Sequence, residues 1–145
     1  MNIEEIEKQW SVDSEIDLND LAYESNKSAK LHSKYYAYYR TFAQEYNKTK
    51  TNKARLVKLK TEYYLGDLDK DTLDKYHWKP FQKRILKTDL ATYLAADDDM
   101  IQVELKLADL NYAVEYLESI IKQIANRGHH VRNVLEFLKF KNGGY

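Results

Sequence analysis

The sequence predicts an all-α protein: a long basic helix in the N-terminal half, a heptad helix in the C-terminal half and a short terminal helix, all in one domain spanning residues 1–145. Three observations carry this. Helix breakers are scarce, with one proline, Pro80, and four glycines in 145 residues, two of them (Gly143 and Gly144) at the end. Apolar residues recur at three- and four-residue spacings over two long stretches. Hydrophobic residues make up 43% and aromatic residues 13%, enough to build a core although mean hydropathy is only -0.73.

Residues 1–26 form an acidic segment with eight acids and one base, Lys8. That is the reverse of a signal peptide, which begins basic and continues apolar. From Leu31 the residues Tyr35, Tyr38, Phe42 and Tyr46, then Leu56, Leu59 and Tyr63, keep a helical period. They predict a helix from about Leu18 to Leu65. Tyrosine and threonine are middling helix formers, so Asn47 to Asn52 is where a break would fall. Gly66 ends this helix. Residues 67–96 read as a connector with an amphipathic piece around Leu73 to Trp78 and a second short helix opened by Pro80 and running through Phe81, Ile85 and Leu86.

Asp97, Asp98 and Asp99 mark the next helix start, as an N-cap candidate followed by acids at the positive end of the helix dipole. Met100, Val103, Leu107, Leu110, Val114, Leu117, Ile121 and Ile124 then form a heptad seam. A second apolar stripe, Ile101, Leu105, Ala108, Tyr112, Tyr116 and Ile120, lies roughly opposite. A helix with two apolar faces in a small domain needs a surface beyond its own subunit, so residues 97–145 are expected to carry self-association, with the heptad seam as the oligomerisation surface. Arg127 and Gly128 supply a basic last turn and a stop, and Val131, Val134, Leu135 and Leu138 a final short helix.

The chemistry that the sequence lacks narrows the function. No cysteine is present, so a disulfide framework, a zinc–thiolate site and a cysteine nucleophile are excluded, and a cytoplasmic, reducing address is expected. No apolar run approaches the roughly 20 residues of a membrane span. His32, His77, His129 and His130 lack metal-ligand spacing, and there is no phosphate-binding glycine loop. Asp67, Asp69 and Asp71 imitate the opening of a calcium loop, but Thr72 stands where glycine must turn and Trp78 where the bidentate glutamate belongs. The expectation is a protein with no enzymatic activity, no metal and no cofactor.

The formal net charge of zero conceals an asymmetry. From Lys27 to Lys60 there are ten bases and one acid, Glu45, while the remainder is nearly balanced with twelve bases and fourteen acids. Lys48, Lys50, Lys53, Arg55, Lys58 and Lys60 surround a helix anchored by Leu56, Leu59 and Tyr63. Such a surface suits a polyanion. Tyr36 and Tyr39 add aromatic faces on which bases of a single strand stack, whereas Tyr35, Tyr38, Tyr46 and Tyr63 fall on the apolar seam and read as core. No zinc finger or compact helix-turn-helix is present, so sequence-tolerant binding led by the phosphate backbone fits best.

In content and order, Ser33-Lys34-Tyr35, the basic run ending in Tyr63-Tyr64-Leu65-Gly66, Leu94-Ala95-Ala96-Asp97, and Arg127-Gly128 before a closing amphipathic helix resemble the phage UvsY recombination mediators over most of the chain. The resemblance implies a protein that binds single-stranded DNA and helps load a RecA-like recombinase, UvsX, onto strand covered by the phage single-strand-binding protein, in the cytoplasm of an infected host. It also implies a ring-like homo-oligomer, a hexamer or heptamer. A short family motif of the form Lys-Ala-Arg-Leu is implicated in strand binding. Here that string stands at Lys53-Ala54-Arg55-Leu56, whereas counting back from Tyr63 places its equivalent at Lys58 and Lys60. The in-register pair is the favoured assignment, with Lys53 and Arg55 beside it and Lys48, Lys50, Tyr36 and Tyr39 in support. The rival reading is a helical scaffold whose basic segment docks an acidic protein.

Overall fold

The computed structural model describes residues 1–143, which are helical with no strand among them. Five α-helices follow in order: α1 (Ile3–Asp13), α2 (Leu21–Tyr64), α3 (Lys70–Tyr76), α4 (Leu90–Ala96) and α5 (Asp98–Lys141), with one 3-10 turn at Lys87–Asp89. The chain packs as two compact units, one formed by Met1–Ala43 with the residues from Asn111 onward, the other by Gln44–Leu110.

Helix α1 lies inside the segment that its composition marks only as acidic. Its start was written in the sequence as a capping box: the Asn2 side chain accepts from the Glu5 amide at 2.9 Å, and the Glu5 carboxylate accepts from the Asn2 amide at 3.4 Å. Ile3, Ile6 and Trp10 share one face, and Ile6 is fully buried with Leu31, Tyr35, Leu117, Ile120 and Ile124 in the core of the first unit. Asp13 closes the helix by accepting from Lys34 Nζ at 2.6 Å and from the Tyr35 hydroxyl at 2.8 Å. Burial pushes the Asp13 carboxyl up, but these two donors outweigh it and hold it below the usual aspartate value.

Helix α2 runs unbroken for 44 residues, so the break foreseen at Asn47 to Asn52 does not occur. The threonines are accommodated without a break: the hydroxyls of Thr41, Thr51 and Thr61 donate to the carbonyls of Ala37, Asn47 and Val57 four residues back, and Thr49 is buried. Gly66 does end the helix. It adopts φ 77°, its amide donates to Tyr63 O at 3.1 Å and the Asp67 amide donates to Glu62 O at 2.8 Å, a paired closure that needs the left-handed conformation.

Two expectations fail for tertiary reasons. Pro80 opens no helix, and residues 78–86 carry no regular structure. The Tyr63 hydroxyl donates to the Lys79 carbonyl at 2.7 Å, and Phe81 packs at 5.7, 5.0 and 5.7 Å from the rings of Tyr63, Tyr64 and Tyr93. Pinned at both points, the segment stays open and helix resumes only at Lys87. Gly128 is likewise no stop, and no separate terminal helix exists: α5 continues to Lys141. Buried Arg127 and Val131 anchor it on both sides of the glycine, enough to override a helix cost of about 1 kcal/mol. A Cβ at Gly128 would meet nothing within 4 Å. Gly128→Ala should therefore raise the thermal midpoint by a few degrees, about 0.5–1 kcal/mol of stability, in a calorimetric scan; a lower midpoint would contradict the continuous helix.

Candidate nucleic-acid interface

On α2 the second unit sorts the six clustered bases by direction. Lys48, Thr51, Arg55 and Lys58, spaced three, four and three, are all exposed on one face, and Lys50 is exposed on another. The Lys58 side chain is 82% exposed, with only Glu62 near it at 4.0 Å. An ion pair at that distance and exposure holds the ammonium weakly. Arg55, Lys58, Asn52, Leu56, Leu59 and Glu62 line a surface groove of about 410 Å³ together with Tyr76 from α3. Tyr76 is 41% exposed and stacks on Trp78, with centroids 4.9 Å apart and planes 24° from parallel.

Lys53 and Lys60 are turned inward. Lys53 is paired with Glu104. The Lys60 side chain is 6% exposed, its Nζ 3.0 Å from Asp97 and 2.8 Å from Asp99, and it lies 3.9 Å above the Trp78 ring. Burial alone would lower the ammonium pKa, but the hydrogen bonds and charges of Asp99 and Asp97 outweigh it and raise the value above that of an ordinary lysine. Asp97 is the hub of this cluster. It caps α5 by accepting the Met100 amide at 3.0 Å, and it accepts the Tyr64 hydroxyl at 2.6 Å. Burial raises its carboxyl, yet Tyr64, the Met100 amide and Lys60 together hold it below the usual range. Of the in-register pair, then, Lys58 faces solvent and Lys60 ties α2 to the start of α5 and to Trp78.

In the first unit, Tyr36 is 49% exposed and stacks on His32 at 5.6 Å. Tyr39 is half-buried against that unit's core, and its hydroxyl donates to Glu118 at 3.4 Å. Tyr36, set between His32 and Tyr39, is thus the more exposed of the two rings.

The heptad residues also sit inward. Met100, Leu110, Leu117 and Ile124 are buried, and Val103, Leu107, Val114 and Ile121 are half-buried within the chain itself. The opposite stripe is open over its first part, with Ile101 39% exposed, Leu105 56% and Tyr112 54%, and closes toward its end, where Tyr116 is half-buried and Ile120 is in the core. Farther along α5, Phe137 and Phe140 are also exposed. Periodicity marks both stripes equally and carries no sign of which one the subunit covers. Sequence reasoning also missed Tyr76, whose place in the groove depends on α3 returning it to the α2 face. Among the described residues no group of three or more His, Cys, Asp or Glu side chains is placed to hold a metal ion, and no helix is long and apolar enough to cross a membrane.

A family model described as "Recombination, repair and ssDNA binding protein UvsY" matches residues 9–144. The recombination protein uvsY of Enterobacteria phage T4 is 23% identical over 145 residues, covering 99% of each chain. Two crystal structures of the bacteriophage T4 recombination mediator protein UvsY superpose on this chain with TM-scores of 0.83 and 0.84, both at 22% identity, the first over 97% of this chain and 99% of the other, the second over 98% of each.

Proposed function

Because the chain belongs to the UvsY family of recombination, repair and single-stranded-DNA-binding proteins, we propose that it is a recombination mediator whose strand-binding surface is the α2 face of Lys48, Arg55 and Lys58 with the ring of Tyr76. The observation that carries the reading is the groove shared by Arg55, Lys58 and Tyr76, where cations stand beside an exposed aromatic face. Phosphates pair with the former and a base stacks on the latter, which gives affinity without sequence preference. Lys50 and Tyr36 extend the same helix's supply of exposed cation and ring. Lys53 and Lys60 support the surface from inside.

In this role the protein makes and breaks no covalent bond. It holds strand occupied by a single-strand-binding protein and helps a RecA-like recombinase, UvsX in phage, load there, in the cytoplasm of the infected host. We further propose that it works as a ring-like homo-oligomer. The open stripe of Ile101 and Leu105 on α5 is better suited to contact between copies than the buried heptad seam. Repetition raises the local concentration of each successive site, so one modest groove per copy suffices.

The test is fluorescence anisotropy with a labelled single-stranded oligonucleotide at several salt concentrations, with size followed by sedimentation. Arg55→Ala with Lys58→Ala should weaken binding and reduce the salt slope by about 1.4, or 0.7 for each lost phosphate contact, at unchanged size. Unchanged affinity and slope would remove this face from the interface. No binding by the wild-type chain at low salt would favour the scaffold reading.

A further inference from the structure

We propose that the segment from Lys75, in the last turn of α3, through the irregular residues 78–86 to Lys87 is a second contact for single-stranded nucleic acid, a basic strap continuing the α2 surface; this rests on the strand-binding reading above. Between Lys75 and Thr88 stand five bases, Lys75, Lys79, Lys83, Arg84 and Lys87, and no acid. All five are exposed, and among the described residues none is in an ion pair. In the near-balanced charge of residues 61–145 this run is invisible, because the aspartates on either side cancel it.

The strap is held in shape although its residues 78–86 have no regular structure. Phe81 and Ile85 are half-buried, Phe81 lies against Tyr63, Tyr64 and Tyr93, and the Tyr63 hydroxyl fixes the Lys79 carbonyl. Lys83 and Arg84 therefore project between two anchors, and little ordering remains to be done on binding. With Gln82 they line a groove of about 480 Å³ bordered by the rings of Tyr64 and Phe81. Cations beside aromatic rings suit bases and phosphates better than an acidic peptide, which needs only the charge. Tyr76 joins the two surfaces: it lines the α2 groove with Arg55 and Lys58, and it stacks on Trp78, whose ring meets that of Tyr63 at 5.2 Å. A strand leaving Lys58 thus finds its next cations on the strap.

The experiment uses the full chain with Lys83, Arg84 and Lys87 all replaced by alanine, beside the Arg55→Ala, Lys58→Ala variant and a Lys83→Arg, Lys87→Arg control. Binding of a labelled oligothymidylate is measured against salt, binding of polyglutamate is measured in parallel, and the melting curve is recorded. The strap variant should melt like wild type, bind the oligonucleotide at least about tenfold more weakly at 50 mM salt, and lose about 2 from the salt slope, while the arginine control retains both. Unchanged oligonucleotide affinity would overturn the proposal. Loss of polyglutamate binding with oligonucleotide binding intact would overturn it in favour of a protein dock. If wild type binds and only the α2 variant is impaired, the strap fails and the strand-binding function stands; if wild type itself does not bind, both fail.

Discussion

Lys60→Met is expected to lower stability by about 3 kcal/mol, because it leaves the buried Asp97 carboxylate without its cation. The Lys60 and Asp97 side chains are each 6% exposed, whereas Asp99 is 55% exposed and is left in water by the change. Asp97 keeps the Tyr64 hydroxyl and the Met100 amide, which places the cost at the lower end for a broken buried pair. Urea unfolding followed by tryptophan fluorescence in a Trp10→Phe background reads the effect directly, since Trp78 then reports alone and the Lys60 ammonium sits over its ring. Under conditions where the variant is folded, its salt slope for oligonucleotide binding should match wild type. A slope reduced as much as by Lys58→Ala would make Lys60 a phosphate contact.

The same cluster sets a pH dependence. Asp97 titrates below the ordinary aspartate value of 3.8 in the folded protein, so its contribution is present above that value and is lost as pH falls through the lower folded value. Lys60 titrates above 10.5, so its contribution is present below that value and is lost as pH rises through the higher folded one. Stability should be level between these limits as far as this pair is concerned. Asp97→Asn should flatten the acid limb below pH 3.8 and leave the slope that belongs to Asp13 and Asp69, whose carboxyls are also held down.

Arg127→Met should cost more, about 3–5 kcal/mol, by stranding Glu24 in the first unit. Both side chains are 4% exposed. The guanidinium donates to the Glu24 carboxylate and to the Glu24 backbone carbonyl, with Ser28 Oγ at 3.4 Å, so one side chain joins α5 to the first turns of α2. Its Nε is buried without a hydrogen-bond partner among the described residues, so the pair is incompletely compensated. For that reason Arg127→Met combined with Glu24→Leu should recover most of the loss, since replacing both members of a buried pair by apolar groups is often neutral or favourable. Chemical denaturation of the two single variants and the double variant measures this coupling. A double variant no more stable than either single would mean that the charges are not what the pair contributes.

Local patterns in the sequence were enough for the all-helical class, for the end of α2 at Gly66 and the start of α5 at Asp97, and for the concentration of bases from Lys48 to Lys60. Each depends on properties that neighbouring residues share: helical period, a glycine that alone accepts the left-handed turn easily, acids at a helix start, and charge excess within a window. Even α1 is legible through Asn2 and Glu5, whose capping box marks a helix start inside the acidic run. The open segment after Pro80, the passage of α5 through Gly128 and the inward turn of Lys53 and Lys60 follow from partners far away in the chain. Tyr63 and Phe81 hold the first, Glu24 anchors the second through Arg127, and Glu104, Asp97 and Asp99 draw in the two lysines. Leaving a buried charge unpaired costs a few kcal/mol, more than the roughly 1 kcal/mol by which glycine, or a helical register, biases the local backbone. Local preference therefore decided which segments are helices, and tertiary contacts decided where two of them stop and which of the basic side chains remain in water.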